Sequence, residues 1–117
     1  MSAVFENDLT IAIHSVRAAD SEGHDQDAIS AYAVERGEPP QEFESALLST
    51  AYDANRHQHT ASCELYMADE EYPRRAAGSA ICGTSLDLGC LQLNLAFFDW
   101  SLAGGAGIGR YDVLMRK

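Results

Sequence analysis

Asp25-Gln26-Asp27-Ala28-Ile29-Ser30-Ala31-Tyr32-Ala33-Val34-Glu35-Arg36-Gly37 reads as a helix, and that reading decides the fold. Asp25 can cap its first turn, Asp27 lies where the helix dipole is positive, and Arg36 lies where it is negative. Gly37 supplies a left-handed residue to end it. Ala28, Ile29, Tyr32 and Ala33 fall on one face. Pro39-Pro40 then stops this helix and can open a second, because proline is tolerated in a first turn. Glu42 and Glu44 favour that start. Phe43, Ala46, Leu47, Thr50, Ala51 and Ala54 recur at three- and four-residue spacing, and Arg56, His57 and His59 gather at the C-terminal end. Two helices are expected between about Asp25 and Asn55.

On either side the period changes to two. Leu9, Ile11 and Ile13 alternate with polar or small residues, which predicts a strand over Asp8 to Val16. Ala61, Cys63, Leu65 and Met67 predict another from Thr60. The clearest signal is Leu91-Gln92-Leu93-Asn94-Leu95-Ala96-Phe97, expected as a central strand with Leu91, Leu93, Leu95 and Phe97 toward the core. Ala80 to Leu88 gives a further strand or edge, and Tyr111 to Met115 a short final one. Gly104 to Gly109 lies between strands. A phosphate loop would end in Gly-Lys-Ser/Thr or lead into a helix, whereas this one ends in Arg110-Tyr111, so it reads as a hairpin connection. The expected fold is α+β, one domain over residues 1–117. Two helices pack on one face of a mostly antiparallel sheet of about 4–5 strands.

Charge is segregated. Residues Met1 to Glu71 hold 15 carboxylates against three arginines, 3 − 15 = −12, and Tyr72 to Lys117 hold three carboxylates against five bases, 5 − 3 = +2. The total of −10 therefore belongs to the first three-fifths of the chain. Such a field repels nucleic acid and steers the chain toward basic surfaces. The opening residues carry acids where a signal peptide needs bases, and no stretch approaches the roughly 18 apolar residues of a membrane span. With three cysteines in no paired spacing, a reducing, cytoplasmic setting without a membrane partner is expected.

His57, His59 and Cys63 form the best metal-ligand set, since zinc accepts imidazole and thiolate. A fourth ligand is not evident, so neither metal nor cofactor is expected. Cys82 and Cys90 would need a neighbouring base to act as nucleophiles, and no histidine is near them in sequence.

Asp87-Leu88-Gly89-Cys90-Leu91-Gln92-Leu93-Asn94, with Trp100 nearby, resembles the D-x-G-x-x-Q-[IL]-N signature of lysozyme-like glycosidases and lytic transglycosylases. The resemblance implies a preceding catalytic glutamate, for which Glu44 (in Glu44-Ser45) and Glu64 are the candidates. Either would serve as general acid with Asp87 stabilising positive charge. This glycan-cleaving enzyme is the alternative reading.

The leading expectation is a small non-enzymatic binding protein that docks on a basic partner protein or nucleoprotein complex. By analogy of composition, inhibitors of nucleases and of antiviral nucleoprotein complexes (the anti-CRISPR type of logic) combine small size and acidity in this way, imitating nucleic acid rather than binding it. The expected contact residues are Glu35, Glu38, Glu42 and Glu44 at the interhelix turn, Asp25 and Asp27 at the first helix, and Asp69, Glu70 and Glu71 beyond. A third reading is a structural subunit whose sheet edge mediates oligomerisation.

Overall fold

The computed structural model describes residues 1–6, 8–16 and 28–116, and in these there is no helix. Ten strands follow in chain order: β1 (Ser2–Phe5), β2 (Leu9–Val16), β3 (Ala28–Glu35), β4 (Gln41–Glu42) and β5 (Ser45–Tyr52), then β6 (Gln58–Tyr66), β7 (Arg74–Asp87), β8 (Leu91–Leu102), β9 (Gly105–Arg110) and β10 (Val113–Arg116). They form one antiparallel sheet in the order β4-β3-β2-β1-β9-β8-β7-β6-β5, with β10 on β8 beyond the end of β9. The sheet curls into a half-barrel. Phe43 N donates to Ala31 O at 2.9 Å and Glu44 N to Tyr66 O at 2.7 Å, so two residues carry the chain from the β3 flank to the β6 flank.

The α+β expectation is thus overturned, and both expected helices are strands. All eight residues of β3 pair with β2, from Ala28 opposite Val16 to Glu35 opposite Leu9. Ala31 and Ala33 point inward while Tyr32 and Val34 stay exposed. That is a period of two in which alanines occupy the interior, small enough for the tightly curved wall. Helix propensity is a weak prior that a full-length pairing partner overrides. Gly37 does adopt positive φ (79°), but in the β3–β4 turn. The capping residues Asp25 and Asp27 lie outside the described residues. In β5, Ala46 and Leu48 are buried while Leu47 is exposed, again alternation and not a helical face.

The strands read from alternation hold. Leu9, Ile11 and Ile13 of β2 are buried, as are Ala61, Cys63 and Leu65 of β6. Leu91 to Phe97 is a strand near the middle of the sheet, but the expected phase is reversed. The core takes Ala96, Phe98, Trp100 and Leu102, whereas Phe97 is 49% exposed. Phe98 stacks on Trp100 with centroids 5.4 Å apart, and packs against Tyr111 at 5.5 Å. The glycine-rich stretch is no loop: only Ala103 and Gly104 make the turn, and Gly105–Arg110 is β9. A Cβ on Gly107 would come within 2.5 Å of the Phe5 ring, and one on Gly109 would meet the β1 backbone. Glycine is required there because the paired β1 strand, with the Phe5 ring over Gly107 and its backbone against Gly109, leaves no room for a Cβ.

β7 and β8 outrun the rest of the sheet. Their C- and N-terminal halves, with β10 alongside, form a three-stranded extension of a molecule 42 Å long. A bulge between Ala80 and Cys82 shifts the phase of β7, because one extra residue sends every later side chain to the opposite face. No helix among the described residues is long and apolar enough to cross a membrane.

Candidate functional site

Five turns meet at one end of the half-barrel, those following β1, β3, β4, β6 and β8. The β1–β2 turn brings Glu6 and Asp8, and the β3–β4 turn Glu35 and Glu38. Glu42 ends β4, Glu44 lies on the crossing to β5, and Asp69, Glu70 and Glu71 lie on the β6–β7 turn. Of the expected contact residues, the structure therefore gathers Glu35, Glu38, Glu42, Glu44, Asp69, Glu70 and Glu71. Asp25 and Asp27 lie outside the described residues.

Among the described residues, these nine carboxylates share the end with Arg36 and Arg74, 2 − 9 = −7. Both arginines are engaged: Arg36 with Asp8 at 3.5 Å, and Arg74 with Glu70 at 3.0 Å while lying over the Phe43 ring. Glu64 and Arg75, just below on β6 and β7, pair at 3.2 Å and leave that sum unchanged. Among the described residues no ion pair reaches Glu35, Glu38, Glu42, Glu44, Asp69 or Glu71. The acids stand on turns rather than on a helical face, so their spacing is set by strand pairing.

A polar cluster underlies the extension, and the sequence reading missed it. Gln58 and Asn94 are both buried. Gln58 Nε2 donates to the carbonyls of Tyr111 (2.8 Å) and Asn94 (3.2 Å), while Asn94 Nδ2 donates to Arg56 O at 3.1 Å. Asn94 Oδ1 accepts from Ser85 Oγ at 2.6 Å and Gln92 Nε2 at 2.9 Å. His57 Nε2 lies 2.8 Å from Ser85 Oγ. With the serine proton directed at Asn94, the imidazole is the donor in that contact. A nucleophilic serine needs the reverse, its proton facing a basic nitrogen. The cluster therefore fastens the β5–β6 turn beneath β8 and satisfies its buried groups.

The metal-ligand set is not assembled: Cys63 points into the core, whereas His57 and His59 belong to the β5–β6 turn and the start of β6. No group of three or more His, Cys, Asp or Glu among the described residues could hold an ion. Desolvation pushes the Cys63 thiol up to about 11, which keeps it protonated and inert as a nucleophile. Cys82 and Cys90 are free and exposed.

Nor are the parts of the glycosidase-like constellation brought together. Asp87 sits at the tip of the extension, where its carboxylate caps the turn by accepting from Gly89 N at 2.9 Å. Glu64 pairs across from Arg75, twelve residues back along β7 (87 − 75 = 12), which is about 40 Å at 3.3 Å per residue. Glu44 lies at that same far end. Tyr66 Oη donates to Glu64 at 2.7 Å and Arg75 lies beside it, which hold its carboxyl below the usual range. A general acid needs the opposite shift. No family model, curated protein or solved structure matches the chain.

Proposed function

We propose that the chain is a docking protein whose acidic end binds a basic surface of a partner, of the kind that partner uses to hold nucleic acid. The observation that carries this reading is the convergence of five turns with a summed charge of −7. Glu35, Glu38, Glu42 and Glu44, close in sequence, are also close at this end. Turns anchored on a paired sheet hold their backbone in place before binding, which lowers the ordering cost and favours affinity. Set against Arg and Lys, they would speed encounter at low salt and compete with phosphate for the same guanidinium and ammonium groups.

The test is charge reversal at the rim. Glu35, Glu38, Glu42 and Glu44 changed together to Lys should abolish retention of a basic partner from the source cell while circular dichroism stays that of the parent. Binding by the parent should fall steeply between low and physiological salt, because exposed charges are screened over about 8–10 Å. Equal retention of the same proteins by parent and quadruple variant would reduce the acidic end to a solvated surface.

A further inference from the structure

The extension turns the logic of the half-barrel inside out. Directly paired residues of antiparallel strands share a face, so the register assigns each side chain to one side. Ser85, Asn94 and Val113 continue the barrel's inner side, with Gln92 and Met115 beyond them. The opposite, outward side carries Leu86, Leu93 and Leu114 in one row, Leu95 with Thr84 in the next, and Phe97 with Cys82 and Arg110 in the third. Arg110 is paired with Asp112 and lies over one side of the Phe97 ring. Leu86 is 46%, Phe97 49% and Leu114 58% exposed, while Leu91, Leu93 and Leu95 are partly buried. Together these six side chains present roughly 400 Å² of apolar surface, the size at which a patch on a monomer is often functional.

From these observations we infer that the outward face of β7, β8 and β10 is a self-complementary interface, on which a second copy of this chain packs face to face and antiparallel. The area fits this occupant. Two such patches would bury roughly 800 Å² of apolar surface, close to the apolar share of a standard interface of about 1,600 Å². The charges at the two ends of the face fit as well. Arg116 stands level with Leu91 at the tip, and Asp99 stands two residues beyond Phe97 at the barrel end. Both are exposed, and neither has an ion-pair partner among the described residues.

A two-fold axis through Leu95 sets the row of Leu93 against the row of Phe97. It also brings Arg116 of each copy diagonally across from Asp99 of the other, one strand spacing of about 4.8 Å to the side, twice, as a closed symmetric dimer requires. The antiparallel arrangement sends the two acidic ends, each at −7, to opposite extremes of the assembly. A parallel pairing would set them side by side and be repelled.

The full chain, purified alone, should sediment as a dimer at micromolar concentration. Phe97→Glu with Leu114→Glu should yield a monomer with unchanged circular dichroism, its dimer dissociation constant raised more than a hundredfold. Both side chains are about half exposed, so the fold should tolerate the change. Arg116→Asp alone and Asp99→Arg alone should each weaken the dimer about tenfold or more, and the two together should restore it. A parent chain that stays monomeric at high concentration overturns the inference and hands the face to a different partner. A dimer that survives Phe97→Glu with Leu114→Glu, or a charge swap that fails to restore association, overturns it equally.

Discussion

The half-barrel and the extension share β7 and β8, yet they sort apolar residues in opposite ways. In the barrel, Phe98 and Trp100 point inward while Asp99 and Ser101 point out. A few residues earlier on the same strand, Asn94 is the inward residue and Leu93, Leu95 and Phe97 face out. What differs is the layer beneath. The barrel stretch of β8 covers Ile11, Ala31 and Leu65, among others, whereas its N-terminal stretch covers the β5–β6 turn, with the Arg56 carbonyl, His57 and Gln58. A run with period two defines two faces. Which becomes the inside depends on what the rest of the chain brings against it.

The largest expected effect tests that contrast directly. Phe98→Ala should cost about 3–5 kcal/mol by leaving a cavity beside Trp100 and Tyr111. Phe97→Ala, measured by denaturant unfolding at concentrations low enough to separate copies, should cost less than about 1 kcal/mol, in line with substitutions away from the core. Equal losses from these neighbours would mean that the strand has no preferred inward face.

A middle-sized effect belongs to the polar layer under the extension. Asn94→Leu leaves Arg56 O, Ser85 and Gln92 without their partner in a part-buried setting, at a cost of about 1–3 kcal/mol. Ser85→Ala removes the donor to Asn94 and the acceptor of His57, but at an exposed position where water can replace them, and should cost about 1 kcal/mol or less. An Asn94→Leu variant as stable as the parent would show that the extension is held by its strands alone.

The sequence made some of this legible. Leu9, Ile11 and Ile13, and likewise Ala61, Cys63 and Leu65, state both their strand and its inward face, because their alternating neighbours are small or polar. Residues 28–52 misled for a physical reason. Ala31 and Ala33 fill a tightly curved wall, and alanine in that role is indistinguishable by composition from alanine in a helix. Capping signals at Arg36 and Gly37 were equally ambiguous, since a left-handed glycine ends a helix or makes a β-turn. The acidic cluster around Glu35 to Glu44 was visible because its members are near in sequence. Its joining with Glu6, Asp8 and Asp69 to Glu71 depends on strand pairings that no local pattern reports. The outward apolar face was hidden for the same reason that Leu93 and Phe97 were expected inside.

The smallest effect separates the two regions by acid. Glu64, in the barrel wall, is held below the usual carboxylate range chiefly by the Tyr66 hydroxyl and then by Arg75. Asp53, in the turn beneath the extension, is held below it chiefly by the amide of His57, with that of Asn55 helping. For both groups the folded pKa lies under the unfolded one, so protonation favours the unfolded chain. Their stabilisation is present above the unfolded values of about 4 and fades as pH falls through the lowered folded values. Both carboxylates are solvent-exposed, so each contribution is small. An Asp53→Asn variant keeps an acceptor oxygen for the two amides but loses the titration. Its denaturation midpoint should fall less than the parent's between about pH 6 and about pH 3. Glu64→Gln should behave alike at the other end of the molecule. Hydrogen exchange of the β5–β6 amides during the same titration assigns the loss. If Asp53 governs the turn, those amides open first in the parent and stay protected in Asp53→Asn. Identical acid profiles for parent and both variants would mean that neither carboxylate keeps its bonds in the folded chain.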